Sequence, residues 1–429
     1  TPSVGYSKRN RVNIKIPFYY APENDLTWDM TFTSHQNGTN GHADQINFRK
    51  KYENSSLSTN IFSGNLNTNK SDGDDVFGMN LSASSKLENK WELTLEGKYA
   101  DQDTFMRRYG FDQDTSYKSF VNVEKTKNNS FSKIEFYNIE NLDETNNKNN
   151  EPVLAPSISH HIFNSNNKYN YDIKLNAHSI YDDEGYDIKR WSGLGQLSKT
   201  IIFDNLTLES IANLGLDLYS IQGRPFSDAN KVRYINRFSS GFSLAASQQQ
   251  FLNSDSANII LEPKIQISSM FSPDKYDDIP NRDSSEYRID EANLFLNNQY
   301  QGRDNIQKNS KINAGLYTLI MTEDFGDYNF FIGQSKRISG TEENIISADN
   351  DRKSSIINSI DWSMNDTFRV AWFSLYNQHS LTNELSNFYL EGKLNDWTYS
   401  TNYRSMNRNV ISDGHSREQL SYVISKEFE

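Results

Sequence analysis

Apolar and polar residues alternate at period two along most of the chain, the spacing that puts successive side chains on opposite faces of a β-strand. In WELTLEGKY, Trp91, Leu93, Leu95, Gly97 and Tyr99 share one face, while Glu92, Thr94, Glu96 and Lys98 share the other. KYNYDIKLNA sets Tyr169, Tyr171, Ile173, Leu175 and Ala177 against Asn170, Asp172, Lys174 and Asn176. The scheme recurs in DTFRVAWFSLY, with Phe368, Val370 and Trp372 against Arg369, and in NFYLEGKL, with Phe388, Leu390, Gly392 and Leu394 on one face. The last run, LSYVISKEF, aligns Leu420, Tyr422, Ile424 and Phe428. Polar stretches such as NKSDGDD and ENLDETNNKNNEP separate the runs at hairpin spacing. Convincing amphipathic helices are missing, so the pattern predicts an all-β chain of many antiparallel strands.

Such strands fit a soluble sandwich or propeller, or a membrane barrel, and composition separates these. Hydrophobic residues make up only 35% of the 429, yet there are 24 Tyr, 25 Phe and 6 Trp. A soluble core of this size needs a larger aliphatic share. A membrane barrel turns its apolar face to lipid, keeps a wet interior and ends its strands in aromatics. Tyr19, Tyr20, Trp91, Tyr99 and Trp397 stand at such ends, and no blade-length repeat supports a propeller. The fold expected is a large antiparallel transmembrane β-barrel. At roughly 16 residues per strand and connection, it would have on the order of 26 strands. No apolar run reaches the ~18–20 residues of a membrane helix.

The formal net charge of −12 argues against nucleic acid as the main partner. With no cysteine, disulfides and thiolate metal sites are excluded. None of the seven histidines forms His-Glu-x-x-His, and the adjacent His160 and His161 point to opposite faces of a strand. Nucleophile elbows, phosphate loops and dinucleotide fingerprints are also missing. No catalytic residue, metal or cofactor is assigned, and the chain is read as not an enzyme.

The stretch VNIKIPFYY breaks its own pattern. Val12, Ile14, Ile16 and Phe18 align on one face, but Pro17 falls among them, and Pro2 lies fifteen residues earlier. Proline removes a ladder donor and is confined to edges and bulges. The opening segment, with Pro2, then Pro17-Phe18-Tyr19-Tyr20, then Ala21-Pro22-Glu23-Asn24-Asp25-Leu26-Thr27, resembles the start of the barrel in the lipopolysaccharide-assembly outer-membrane family LptD. A second stretch is similar to the same family at Leu261, Pro263 and Gln266, then Asp283 and Ser284, Leu294 and Phe295, Gly302 and Asp304. DIKRWSGLGQLSKTI resembles a middle strand of that family, and the whole looks like its shorter alphaproteobacterial type.

The resemblance implies a Gram-negative outer-membrane translocon that inserts lipopolysaccharide into the outer leaflet. Sugar would pass through the lumen, and acyl chains would leave by a lateral gate between the first and last strands. Gate residues would be Pro2, Tyr6, Pro17, Tyr422, Ile424 and Phe428. The family-motif loop, by the lumen, would hold Asp283, Asp290, Asn293, Phe295, Gly302 and Asp304. Lys15, Lys98 and Lys174, expected on the wet face, are candidates for guiding phosphorylated sugar. Expected partners are lipopolysaccharide, an LptE-like lipoprotein plug, the barrel-assembly machinery, and periplasmic bridge proteins acting through an N-terminal jellyroll domain. Residues 1–429 would be a single barrel domain without that jellyroll. The alternative is a general diffusion porin or a plugged nutrient-uptake barrel.

Overall fold

The computed structural model describes residues 2–7, 11–23, 25, 27–37, 41–68, 71–102, 104–112, 114–142, 151–166, 169–182, 185–223, 232–273, 279–286, 288–340, 352–364, 367–407 and 416–426. In chain order the first strands are β1 (Ser3–Ser7), β2 (Arg11–Tyr20), β3 (Trp28–Asn37), β4 (Gly41–Lys51), β5 (Ser55–Thr68), β6 (Ser71–Lys86), β7 (Trp91–Ala100), β8 (Ser116–Lys127) and β9 (Ser130–Asn141). Next come β10 (Val153–Ser165), β11 (Asn170–Tyr181), β12 (Tyr186–Phe203), β13 (Leu206–Gly223), β14 (Arg233–Gln248), β15 (Gln250–Asn253), β16 (Ala257–Phe271), β17 (Ser285–Glu286) and β18 (Tyr300–Gln301). The remainder are β19 (Asn309–Thr322), β20 (Gly326–Gly340), β21 (Ile356–Met364), β22 (Phe368–Tyr376), β23 (Asn383–Leu394), β24 (Trp397–Met406) and β25 (Arg417–Lys426). One turn of helix, α1 (Phe105–Tyr109), lies between β7 and β8.

Twenty-three strands belong to one sheet, and β17 and β18 form a separate ribbon. This is the all-β, antiparallel build of a large β-barrel. Among the described residues many strands run well past ten residues, to 18 in β12 and β13, so each uses more chain than the average assumed. The β6 strand also starts at Ser71, taking most of the polar stretch NKSDGDD out of its predicted loop. Pro263 accounts for one break. The pairs Ser247↔Lys264 and Gln250↔Leu261 flank it, and β14 and β15 are one strand interrupted opposite the missing donor. Counting those two as one leaves an even number of strands, the rule for bacterial single-chain barrels.

The chain divides into two compact units. Unit one comprises Thr1–Phe163, Ile173–Gly193 and Asp217–Asn236, and unit two comprises Asn164–Asp172, Leu194–Leu216 and Arg237–Glu429. In unit one, β2 to β9 pair each with the next in antiparallel register. Tyr20, Trp28 and Phe48 form an aromatic row at strand ends, with ring centroids 5.8 and 6.0 Å apart. In unit two, β16 pairs with β19, and β19 to β25 continue strand by strand. The β19–β20 and β21–β22 hairpins close on the aromatic stack of Tyr328, Trp362 and Phe368. Such girdles mark membrane–water boundaries.

Exposure is inverted relative to a soluble protein. In β16, Gln266 and Ser268 are each 2% exposed, whereas Ile265 and Ile267 are 52% and 53% exposed. The β14 strand follows suit, with Arg237, Ser239 and Ser243 buried and Phe238, Phe242 and Leu244 exposed. In β2, Val12, Ile14, Ile16 and Phe18 are exposed, as are Tyr19, Tyr20, Tyr99 and Trp397 at strand ends. A soluble sheet buries these residues; a membrane barrel presents them to lipid. An arginine at Ile265 is expected to lower the unfolding free energy in phospholipid vesicles by ~2–4 kcal/mol, against ~0–1 kcal/mol for one at strand-end Phe271. Denaturant titration in vesicles measures both, and equal penalties would remove the lipid-facing assignment.

Candidate functional site

Residues 279–308 fold onto the polar face of unit two and bring the family-motif residues together. The turn is held by two carboxylates that grip backbone amides across the segment. Asp304 Oδ2 accepts from the N–H groups of Arg282 at 2.9 Å and Asp283 at 3.0 Å. Asp283 Oδ1 accepts in return from those of Arg303 at 3.0 Å and Asp304 at 2.9 Å. Ser284 Oγ takes the Asn305 N–H at 2.9 Å. Between them Gly302 sits at φ +85°, and a Cβ there would fall on the Asp283 carbonyl oxygen. Two separate motif elements, Asp283-Ser284 and Gly302-x-Asp304, are thus one knot.

A second staple shapes the middle of the segment. Asp290 and Asn293 exchange side-chain-to-backbone bonds at 2.9 and 3.0 Å, and Asn293 Nδ2 donates to the Arg288 carbonyl at 2.6 Å. This turn delivers Leu294 into an apolar cluster with Ile289, Phe331, Ile357, Leu375 and Leu385, flanked by Phe295 and Tyr317. The seat exists because Gly315 and Gly333 are register partners. A Cβ on Gly333 would come within 2.6 Å of Leu294 Cδ2, and one on Gly315 within 3.2 Å of Phe295 Cζ. Gln266 from β16 donates to the Phe295 carbonyl at 2.8 Å and accepts from Asn313 Nδ2 at 2.7 Å. The Lys264 ammonium lies 4.8 Å over the Phe295 ring.

Three residues that sequence reasoning passed over complete the docking. Arg237, 1% exposed, donates to the Asp304 carbonyl at 2.5 Å and to that of Arg303. The other two are Gly315 and Gly333, whose signal was a glycine inside a strong strand pattern, a mark of close approach. With their oxygens on amides, Asp283 and Asp304 serve as staples. Among the described residues no group of three or more His, Cys, Asp or Glu is placed to hold a metal ion.

Unit one repeats the device. The β7–β8 connection folds back so that Phe105, Met106 and Tyr109 pack with Ala43, Phe62, Val76, Ala100, Tyr117 and Leu142. A Cβ on Gly78 would approach Met106 Sδ to 3.0 Å. Lys98 bonds Asp112 at 2.8 Å and Asp114 at 2.6 Å, so its charge is tied to this connection. Burial pushes the Tyr109 phenol up to about 12, its oxygen within reach of the His42 and Asn65 carbonyls.

The terminal strands are held unequally. The β1–β2 ladder has five pairs, Ser3↔Lys15 to Ser7↔Arg11, with Tyr6 opposite Val12. It ends two residues short of Pro17, and Pro2 stands immediately before β1. On its other side Pro17 keeps register with Thr33 of β3. At the far end β25 makes ten pairs with β24, including Tyr422↔Thr401 and Ile424↔Tyr399. The described side chains of β1 and all those of β25 are exposed on both faces. Phe428 lies outside the described residues.

An antiparallel sheet with an apolar exposed face, aromatic girdles and a polar face defines an outer-membrane β-barrel protein. The family model for LptD, LPS transport system D, matches residues 74–425. The chain therefore belongs to the LptD family, a lipopolysaccharide-transport barrel of the Gram-negative outer membrane; the family is one of transport proteins. Among solved structures it is similar to the ferric-catecholate import receptor Fiu of Escherichia coli K12, at 9% identity and a TM-score of 0.34, covering 94% of this chain and 81% of that one. It is also similar to the alcaligin outer-membrane receptor FauA of Bordetella pertussis, at 8% identity and a TM-score of 0.28, covering 99% and 74%. No curated protein matches the chain.

Replacing Gly302 by alanine is expected to free the knot, at a cost of about 1–3 kcal/mol for strain at a positive φ. Limited trypsin digestion of the folded protein should then cut at Arg282, Arg288 or Arg303 at least tenfold faster. An unchanged digestion rate would show that the carboxylate staples hold without the glycine.

Proposed function

We propose that this chain is the barrel of a translocon that inserts lipopolysaccharide into the outer leaflet by way of a lateral gate between its first and last strands. The polar face carries the saccharide, and the acyl chains leave sideways into lipid. Amphipathic cargo needs both routes, since sugar in hydrocarbon and acyl chains in water are each costly. The observation that carries the reading is the short β1 ladder between Pro2 and Pro17, five pairs against ten for β25. At about 1 kcal/mol net per hydrogen bond, β1 is the strand that yields. Tyr422 and Ile424 line the opening in this reading.

The segment with Asp283, Asp290, Asn293, Phe295, Gly302 and Asp304 narrows the saccharide route. Its interlocked bonds and its seat on Gly315 and Gly333 support a fixed constriction. An LptE-like lipoprotein fills the remaining lumen. Periplasmic bridge proteins deliver cargo through an N-terminal jellyroll domain of the family type, and the barrel-assembly machinery inserts the protein. The residues act by shape and charge, with no covalent chemistry.

The experiment is a disulfide lock. Cysteine at position 6 is paired in turn with cysteine at each position of Ser421–Lys426. At least one oxidised pair should abolish lipopolysaccharide export in cells, with recovery on reduction and no change in small-solute leakage. Undiminished export by every cross-linked pair would rule the gate out.

A further inference from the structure

In the stretch DIKRWSGLGQLSKTI, Leu194 and Gln196 line a pocket shared with Phe295 and Arg303 of the strap formed by the 279–308 segment, while the alternate positions of its second half belong to the lipid-facing wall of unit two. There β12 continues from Leu194 to Phe203. Gly195, Leu197 and Lys199 fall at alternate positions and so share a face. Leu197 is 51% exposed and belongs to the apolar face. Gly195 adds no side chain to that face, and a Cβ built on it would meet nothing within 4 Å. A groove of about 800 Å³ opens at Leu197, lined also by Tyr169, Ser210, Ile211, Ala212 and Phe242. Its volume is that of an ordinary ligand site.

Lys199 also lines the groove, five positions before the tight Asp204-Asn205 turn that joins β12 to β13. Among the described residues it has no carboxylate partner. Exposed Phe203 and Phe251 lie at the same turn end, the level of an interfacial aromatic belt. An apolar trough with one unpaired ammonium at its interfacial end matches an acyl chain joined to an anionic phosphate. Tight turns of outer-membrane barrels face the periplasm, whose leaflet is built of glycerophospholipid.

We propose that this groove is a binding site for one anionic glycerophospholipid of the periplasmic leaflet, its phosphate on Lys199 and an acyl chain along Leu197, Ala212 and Phe242. The site is separate from the gate, and its test does not depend on export.

The folded full chain is incubated in mild detergent with phosphatidylglycerol, phosphatidylethanolamine and lipid A, then weighed by native mass spectrometry. One phosphatidylglycerol should remain per barrel. Ala212→Trp, which fills the groove, and Lys199→Glu should each lower that adduct at least tenfold. Ile267→Trp, elsewhere on the exposed apolar face, should leave it unchanged. Heat-modifiable migration checks that each variant is folded, and Ala212→Leu replaces the tryptophan variant if that one fails. Equal retention in all variants, or preferential retention of lipid A, would overturn the site.

Discussion

Hydrocarbon offers a backbone nothing to bond with, and that single deprivation organises this chain. Each strand must pair its N–H and C=O groups with a neighbour, because an unsatisfied group in lipid costs several kcal/mol. The face turned to lipid must then be apolar, which leaves the polar half of every alternating strand pointing the other way. The outcome is the inversion seen in β14 and β16, with Phe242 and Ile267 exposed and Ser243 and Gln266 buried. The same constraint isolates Pro263 as an event. A residue without a donor breaks its strand's partner into β14 and β15, and Gln249 beside the break turns its side chain to Glu262 at 2.9 Å.

A polar face is a poor surface for docking a loop by hydrophobic burial, so residues 279–308 hold on by other means. Arg237 spans two consecutive carbonyls, Gln266 reaches Phe295, and Lys311 donates to Gln307 at 3.3 Å. Where apolar contact is used, glycines first clear the wall. Gly315 and Gly333 make room for Phe295 and Leu294, as Gly78 does for Met106 in unit one. Truncating Leu294 would leave a void against five apolar neighbours, the kind of change that costs 2–5 kcal/mol in a packed interior. The wall is therefore shaped to the strap it carries.

The strands were legible because alternation is a local signal, and Leu175, Phe242 or Ile424 reveals its face to its own neighbours. Tyr19, Tyr99 and Trp397 stood out for the same reason, since strand ends are marked by the turns beside them. The strap was legible only as scattered motif residues. Asp283 and Asp304 are 21 positions apart, and that they hold each other's amides is a property of the folded segment. Arg237 lies 67 positions from the carbonyl it bonds. In the sequence it looks like any charge on a wet strand. The strand count came close to expectation, and the small difference lies in the 18-residue strands, which a per-strand average does not foresee.

The two ends of the chain bring the argument back to hydrogen bonding. Five β1 pairs at about 1 kcal/mol each amount to roughly 5 kcal/mol. That is the cost of lifting β1 off β2, and it leaves β1 detached in about one molecule in several thousand, taking tenfold per 1.4 kcal/mol. Moving an acyl chain of about a dozen methylenes from water into lipid gains roughly 10 kcal/mol at about 0.8 kcal/mol each. In the proposed route this gain exceeds the cost of lifting β1 off β2. The same gain would fall short against two ladders as long as the ten pairs that hold β25. In the proposed route the short β1 between two prolines is the strand that moves, while β25 stays on its ten pairs with β24.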